Sequence, residues 1–345
     1  MTQRNNSIES LRFIAAFAVI CIHYFYAKDK QLTLVVNQWA RFAVPFFFVV
    51  SGYFLAEKLK KNDRPKVYFQ FIKKLLILYV AWQIIYFLNP SHHGEIYIRG
   101  FVKAYNSKLR SVTDHGWWYT LFAGWAQHLW YFFSLAQTAL VFLLFRLKRI
   151  YWFVGFAFAL YIIGALTKAY VKTGIGIPVT SLGFPKDFNT NNLIFFSALP
   201  FTLGILFSAK NIRIGLIGSF IILIIGYGLH YTEVWYLGTL KLHQRIDYGF
   251  STFLIGLGVF LVGLNRFKLL EFKYMANLGK FSLGIYAMHV IVAGYVNESF
   301  LSYLSVDAIV KFKELKFIVV PVVTLIVCTL VTWGLSKIPV VKKLV

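Results

Sequence analysis

The sequence predicts an all-α, polytopic integral membrane protein of about ten transmembrane helices with both termini in the cytoplasm, and three observations predict it. Of 345 residues, 59% are hydrophobic and 14% charged, against about 45–50% and about 25% in soluble domains, so the chain lacks the polar surface to clothe a large globule. Uncharged runs suited to a hydrocarbon core about 30 Å thick, which takes about 20 residues of helix, recur ten times. The 36 Lys and Arg outnumber the 13 Asp and Glu, for a net charge of +23, and they gather in alternate connections between those runs. Such a charge in a soluble protein would suggest nucleic acid, but no helix-turn-helix, zinc or RNA-recognition signature accompanies it.

In chain order the runs are about 11–27, 39–57, 73–90, 127–145, 150–167, 191–209, 213–231, 247–264, 279–297 and 317–337. The first follows Arg4 and Arg12. It reads as a retained helix and not a signal peptide, because no small-x-small cleavage site follows and many more runs do. All are rich in Leu, Ile, Phe and Val without strict alternation, the pattern of buried helices and not of outer-membrane barrel strands. The long connection at about 91–126 carries Trp117, Trp118, Tyr119 and Trp125. Amphipathic aromatics favour the headgroup region, so GWWYTLFAGWAQ is expected to form an interfacial or re-entrant helix. No internal repeat or linker marks a second domain, and 1–345 reads as one membrane domain.

Orientation follows from charge. With the amino terminus inside, the inner segments carry 21 basic residues against Glu9, Glu57, Asp63 and Glu271, while the longer outer segments carry 15 basic and nine acidic residues. The positive-inside rule therefore places both termini in the cytoplasm, which an even number of spans requires.

Ionisable groups inside hydrocarbon are costly and mark function more often than in a soluble core. Arg12 and His23 in SIESLRFIAAFAVICIHYF are eleven residues apart, which returns to within roughly 20° of one helix face while rising about 16 Å. That geometry suits an elongated ligand whose anionic end sits at the inner surface and whose reactive end reaches mid-membrane. It equally suits a snorkelling Arg12 anchor and a His23 satisfied by a neighbouring carbonyl. His289, nine residues beyond Lys280, lies at a similar depth with Tyr286 one turn back; it serves either an active site or helix–helix hydrogen bonding. His128, with Trp130 and Tyr131 below it, falls at the outer mouth, either to stack on an acceptor sugar or as part of an aromatic belt. Arg41 caps the outer end of the second span, and Arg245 with Asp247 flanks the outer start of the eighth; each lines an acceptor entry or anchors topology. Ser51 and Gly52 sit mid-span, where small residues allow close helix approach. Cys21 and Cys328 read as buried small hydrophobes. His92, His93, His115, His230 and His243 lack metal-ligand spacing, and no metal is expected.

Arginine, ten residues and histidine in the first span, then ARFAVPFFFVVSGYFL, HLWYFF from His128, LPFTLGILFS from Leu199 and LGKFSLGIYAMH from Leu278, resemble in order the acyltransferase-3 family of integral-membrane O-acyltransferases. The branch most resembled is that of bacterial surface-polysaccharide O-acetyltransferases. The resemblance implies a multi-pass protein of the bacterial cytoplasmic membrane that moves an acyl group, usually acetyl, from cytoplasmic acetyl-CoA to a hydroxyl of a sugar or cell-surface glycan. Arg12, helped by the basic loop and by Lys73 and Lys74, would hold the phosphates of the donor. His23 would act as general base, or carry the acyl group itself. Glu9 stands where an acidic residue commonly precedes the arginine. Lys73 and Lys74 replace a frequent arginine pair, which keeps attraction for phosphate but not bidentate geometry. No carboxylate within a span offers itself to orient His23, leaving the hydroxyls of Tyr286, Ser51 and Ser134. His128, Trp130, Tyr131, Tyr286, His289, Arg41 and Ser51 are the candidate substrate contacts. The competing reading is a secondary transporter or flippase for a glycan precursor, but Pro45, Pro178, Pro200 and Pro321 do not occupy matched positions in two halves.

Overall fold

The computed structural model describes residues 5–25, 31–62, 64–89, 106, 109–110, 113–114, 125–185, 188–240, 246–302, 313–339 and 341–344. Among them no strand occurs. Helix α1 (Asn6–Tyr24) is followed by α2 (Gln31–Trp39), which runs through a turn of 3₁₀ helix into α3 (Ala43–Leu59). Next come α4 (Pro65–Leu88), α5 (Trp130–Phe145), α6 (Ile150–Thr167), α7 (Ile194–Ala209), α8 (Leu216–Thr239) and α9 (Thr252–Leu264). The short α10 (Lys273–Leu278) leads through residues 279–281 into α11 (Ser282–Ser302), and α12 (Lys313–Leu335) follows.

Among the described residues, eight helical stretches are long and apolar enough to cross a membrane, and the shorter apolar helices α7 and α9 bring the crossings to the expected ten. At 16 and 13 residues, α7 and α9 are about 24 and 20 Å long, less than a hydrocarbon core. They manage this because they meet protein rather than lipid, with α7 against α3 and α6, and α9 against α3 and α8. Where the sequence predicts a span from 247, the helix begins only at Thr252. The backbone before it is satisfied by Glu233 of α8, which accepts from the amides of Phe250 at 2.7 Å and Ser251 at 3.1 Å and from the Ser251 hydroxyl. Non-helical backbone is tolerated there because it is buried in protein.

The helix ends sort into two layers. At one end Ser208 donates to Glu57, Lys60 pairs with Glu57 at 2.7 Å, Asn265 donates to the Ile214 carbonyl, and Ser7 donates to the Phe267 carbonyl. At the other end Asn37 meets the end of α1, the Trp125 amide donates to Gln83, and Tyr170 donates to Glu233. The first layer holds the Lys- and Arg-rich connections, which the positive-inside rule assigns to the cytoplasm.

A second boundary differs from expectation. Helix α4 starts at Pro65, whose fixed φ suits the first helical position after the extended Arg64. Lys73 and Lys74 therefore lie in the third turn of the helix and not at its start; hydropathy reports where lipid begins, not where the hydrogen-bonded helix does. Trp117, Trp118 and Tyr119 of the expected interfacial helix lie outside the described residues, as do Arg245, His92, His93, His115 and His243. Trp125 packs its ring on Phe87 at 4.9 Å.

The tightest crossing is that of α3 with α7. A Cβ on Gly52 would lie 2.0 Å from the Phe201 carbonyl oxygen, and one on Gly204 would lie 2.0 Å from that of Val49. Each glycine thus admits the other helix's backbone, the packing role its small size suggests.

Candidate active site

A cavity of about 330 Å³ opens among α1, α3, α4, α5 and α11, with Arg12, Lys58 and Lys74 at its basic end and Ser51, Tyr131 and Tyr286 among its deeper walls. Arg12 is held toward it by Glu9, one turn back, through contacts of 3.0 and 3.3 Å. The remaining lining is largely aliphatic and aromatic, including Phe47, Leu55, Phe71, Leu75 and Leu78. A volume near the low end of ligand pockets suits a slender arm better than a whole nucleotide. Of the two lysines, Lys74 lines the cavity and Lys73 does not.

The deep wall is a stack of hydroxyls and rings. Tyr131 donates to the Phe47 carbonyl at 3.3 Å and shares a 3.1 Å hydrogen bond with Ser51. Tyr131 and Tyr286 rings lie 5.2 Å apart, and the Tyr286 hydroxyl donates to the backbone carbonyl of His128. Just beyond stand three histidines. His23 and His289 have ring centres 5.0 Å apart, His128 and His289 4.8 Å, and His23 and His128 5.8 Å. They arrive from the last turn of α1, the turn before α5, and the third turn of α11. His128 and His289 are buried, while His23 is exposed. Glu9 and Gly279 meet at one level, where a Cβ on Gly279 would lie 2.0 Å from the Glu9 carbonyl. Helical rise from there puts His289 roughly 15 Å and His23 roughly 21 Å from the basic end, deep in a core about 30 Å thick.

Several expected placements are corrected. His128 is not at an outer mouth but buried within the cluster, with Nε2 3.2 Å from both the Tyr86 hydroxyl and the Ala287 carbonyl. The cause is that α5 starts deep, the chain before it being packed under Tyr86. Tyr131 therefore lines the cavity, and Trp130 packs on Phe48 and Phe196; neither forms an outer stacking platform. None of the three proposed hydroxyls is seen bonded to His23. Tyr286 is spent on the His128 carbonyl, Ser51 on Tyr131, and Ser134 on Ser197 and the Leu193 carbonyl.

A polar clamp closes the outer side of His23. Buried Asn37 donates to the carbonyls of Ile22 at 2.9 Å and Phe25 at 3.1 Å, the two sides of the turn that carries His23. Its own carbonyl accepts from Arg41 at 2.6 Å and Gln38 at 3.1 Å. Gln38 in turn meets Nε2 of His230 at 3.0 Å, so His230 is a structural member of this network. Arg41 is buried and pairs with Asp247 at 2.8 Å, and Lys168 approaches the other carboxylate oxygen at 3.7 Å. Arg41 is thus a buried, paired member of this network. The Asp247 side chain keeps 47% of its surface accessible, so screening moderates each pair. A carboxylate thus lies within electrostatic reach of His23, from the loop before α9 and not from a span. Asp247 was noted in the sequence only as a flank of the eighth span, and Asn37 was passed over, although two adjacent amides in LTLVVNQWARFAV are the costly intramembrane polarity that flags function.

Replacing Asn37 with Leu is expected to strip the α1 end of two hydrogen bonds and leave Arg41 short of an acceptor. A loss of about 1–3 kcal/mol is expected for such an unsatisfied buried group, read as a lowered thermal midpoint in detergent; Asn37→Leu melting with wild type would show that the clamp carries no stability.

Compared with known proteins, residues 5–337 match the family profile Acyl_transf_3, described as an acyltransferase domain. The chain is 30% identical over 222 residues to an amino-acid racemase of Enterococcus faecalis, and 30% identical over 220 residues to a serine/alanine racemase of Enterococcus gallinarum. Each alignment covers 59% of this chain but only 29% of the relative, so the chain matches less than a third of the length of these curated relatives. No solved structure matches it significantly.

Proposed function

Because the chain belongs to the acyltransferase-3 family and is a multi-pass membrane acyltransferase acting on groups other than amino-acyl groups, we propose that it transfers an acyl group, acetyl in the first instance, from acyl-CoA at the basic face to a hydroxyl of a sugar or cell-surface glycan that reaches His23 from the opposite face. The proposed setting is a bacterial cytoplasmic membrane. One observation carries the reading: the cavity joins three cations at its basic end to a wall whose far side is the histidine cluster. Arg12, Lys58 and Lys74 suit the phosphates of coenzyme A, and the apolar barrel between them and Tyr286 suits its arm. His23 takes the proton of the acceptor hydroxyl, the new oxygen–carbon bond forms as the carbon–sulfur bond breaks, and the proton returns to the departing thiolate. Asp247 on the outer side favours the transient imidazolium.

One observation favours a small acceptor as a second case. A relative is named a serine/alanine racemase, and serine carries a hydroxyl, so serine belongs beside glycan fractions among trial acceptors. The test is reconstitution in liposomes with labelled acetyl-CoA on one side and acceptors on the other. Label appearing in a glycan or serine ester supports the reading; acetyl-CoA that neither binds nor is consumed overturns it. The lysines give a sharper check. Lys74→Ala is expected to weaken acetyl-CoA binding about 10-fold, the scale of one charge-assisted contact, while Lys73→Ala stays within about two-fold of wild type. Equal losses measured by calorimetry would remove the cavity as the donor site.

A further inference from the structure

Beside the ring of His23 lies a buried atom with an open lone pair. His289 is 0% exposed, and its Nδ1 lies 2.7 Å from the backbone carbonyl oxygen of Tyr286. A carbonyl only accepts, so Nδ1 carries the hydrogen. In the neutral ring Nε2 then presents a lone pair, and Nε2 is a buried atom without a hydrogen-bond partner. Buried polar groups are almost always paired, so an unpaired one next to a reacting group calls for a partner that engages during turnover. The ring beside it is His23, 5.0 Å away centre to centre and tilted by 48°. That is close to the separation at which two imidazoles share an N–H···N bond of about 3 Å.

Resting on the acyl-transfer reading, we propose that His289 is the positioning residue of the base: its Nε2 accepts an N–H of His23, turns the opposite His23 nitrogen toward the acceptor hydroxyl, and steadies the imidazolium that forms. His23 is the exposed member of the pair, so its ring is the one that turns. Two neighbouring groups have engagements of their own. Tyr86 donates its hydroxyl hydrogen to the Ala287 carbonyl at 2.9 Å, so Nε2 of His128, facing both, is a donor. The Asp247 oxygens are engaged by Arg41 and Lys168. During transfer the hydroxyl proton moves to His23 and then to the thiolate, and His289 ends with the hydrogen it began with on Nδ1. The role resembles that of the aspartate in a hydrolase triad, performed by a neutral group.

Two variants separate this role from packing. His289→Asn keeps an amide N–H where Nδ1 stood but has nothing at the Nε2 position, whereas His289→Gln places an acceptor oxygen there. In purified protein the Asn variant is expected to lose about 30-fold or more in kcat with the KM for acetyl-CoA within about two-fold, and the Gln variant to retain kcat within about five-fold. Equal losses in the two, or a fully active Asn variant, would overturn the proposal. Fold loss is controlled in the double variant: adding His289→Asn to His23→Ala is expected to leave the residual rate unchanged, and a further multiplicative loss counts against the pairing. A wild type that transfers nothing overturns the parent reading and this inference with it. A wild type that is active, a His23→Ala that is inactive and an unaffected His289→Asn overturn the inference alone.

Discussion

Replacing His23 with alanine is expected to lower kcat for acyl transfer by about 100- to 10 000-fold, the range general acid–base groups supply, while acetyl-CoA binding stays within about two-fold of wild type. The separation follows from the geometry. His23 is not among the residues lining the cavity that would hold the donor; it stands across the Tyr131–Tyr286 wall, against His128 and His289. Arg12→Ala should show the converse, a raised KM for the donor with kcat less affected, since Arg12 lies on the same face of α1 but about 16 Å lower. Pre-steady-state labelling decides between direct attack and an acyl-histidine. Label on the wild-type protein without acceptor, lost in His23→Ala, would identify the covalent route. A His23→Ala protein that transfers acetyl at the wild-type rate sinks the assignment of the base.

The second large effect is structural. Gly204→Ala is expected to destabilise the protein by about 1–3 kcal/mol, and Gly204→Val to abolish folded yield. The added carbon meets the Val49 carbonyl at 2.0 Å and the Tyr53 amide at 2.9 Å, backbone atoms that no rotamer change can move aside. Any relief requires α3 and α7 to part, and α3 carries Phe47, Val50, Ser51, Phe54 and Leu55 of the cavity wall. Loss of donor binding should therefore accompany loss of stability. Gly155→Ala supplies the control. Nothing lies within 4 Å of a Cβ there, and alanine in a helix interior is favoured over glycine by about 1 kcal/mol. If both glycine variants melted together in a thermal assay, the close approach of the two helices would not be limiting stability.

The ten crossings were legible because apolar length and the Lys and Arg asymmetry are properties of the sequence alone, and the Arg12–His23 stripe followed from the period of one helix. The meeting of three histidines was not legible. His128 and His289 belong to different elements from His23, and nothing local to either says that the chain before α5 folds inward under Tyr86. Helix ends also escaped, for a different reason. Lys73 and Lys74 sit in a helix that outruns the apolar stretch, while α9 falls short of its stretch because Glu233 takes up the backbone hydrogen bonds ahead of Thr252. The carboxylate within electrostatic reach of His23 was hidden by the second effect. Asp247 was counted as a flank of the eighth span, and only the shortened helix brings it beside Arg41.

The wall of Tyr131, Tyr286 and Phe47, with rings 5.2 to 6.3 Å apart and little exposed surface, bears on the membrane as a whole. A bilayer that stores an ion gradient tolerates no aqueous thread from one face to the other, yet an enzyme fed from one side and emptied on the other must bring water-accessible space close to its centre from both. Packed aromatic rings between two such spaces would prevent that leak. Under the proposed reaction the acyl group would pass the partition as a change of covalent partner, driven by the reactivity of the thioester and not by a gradient.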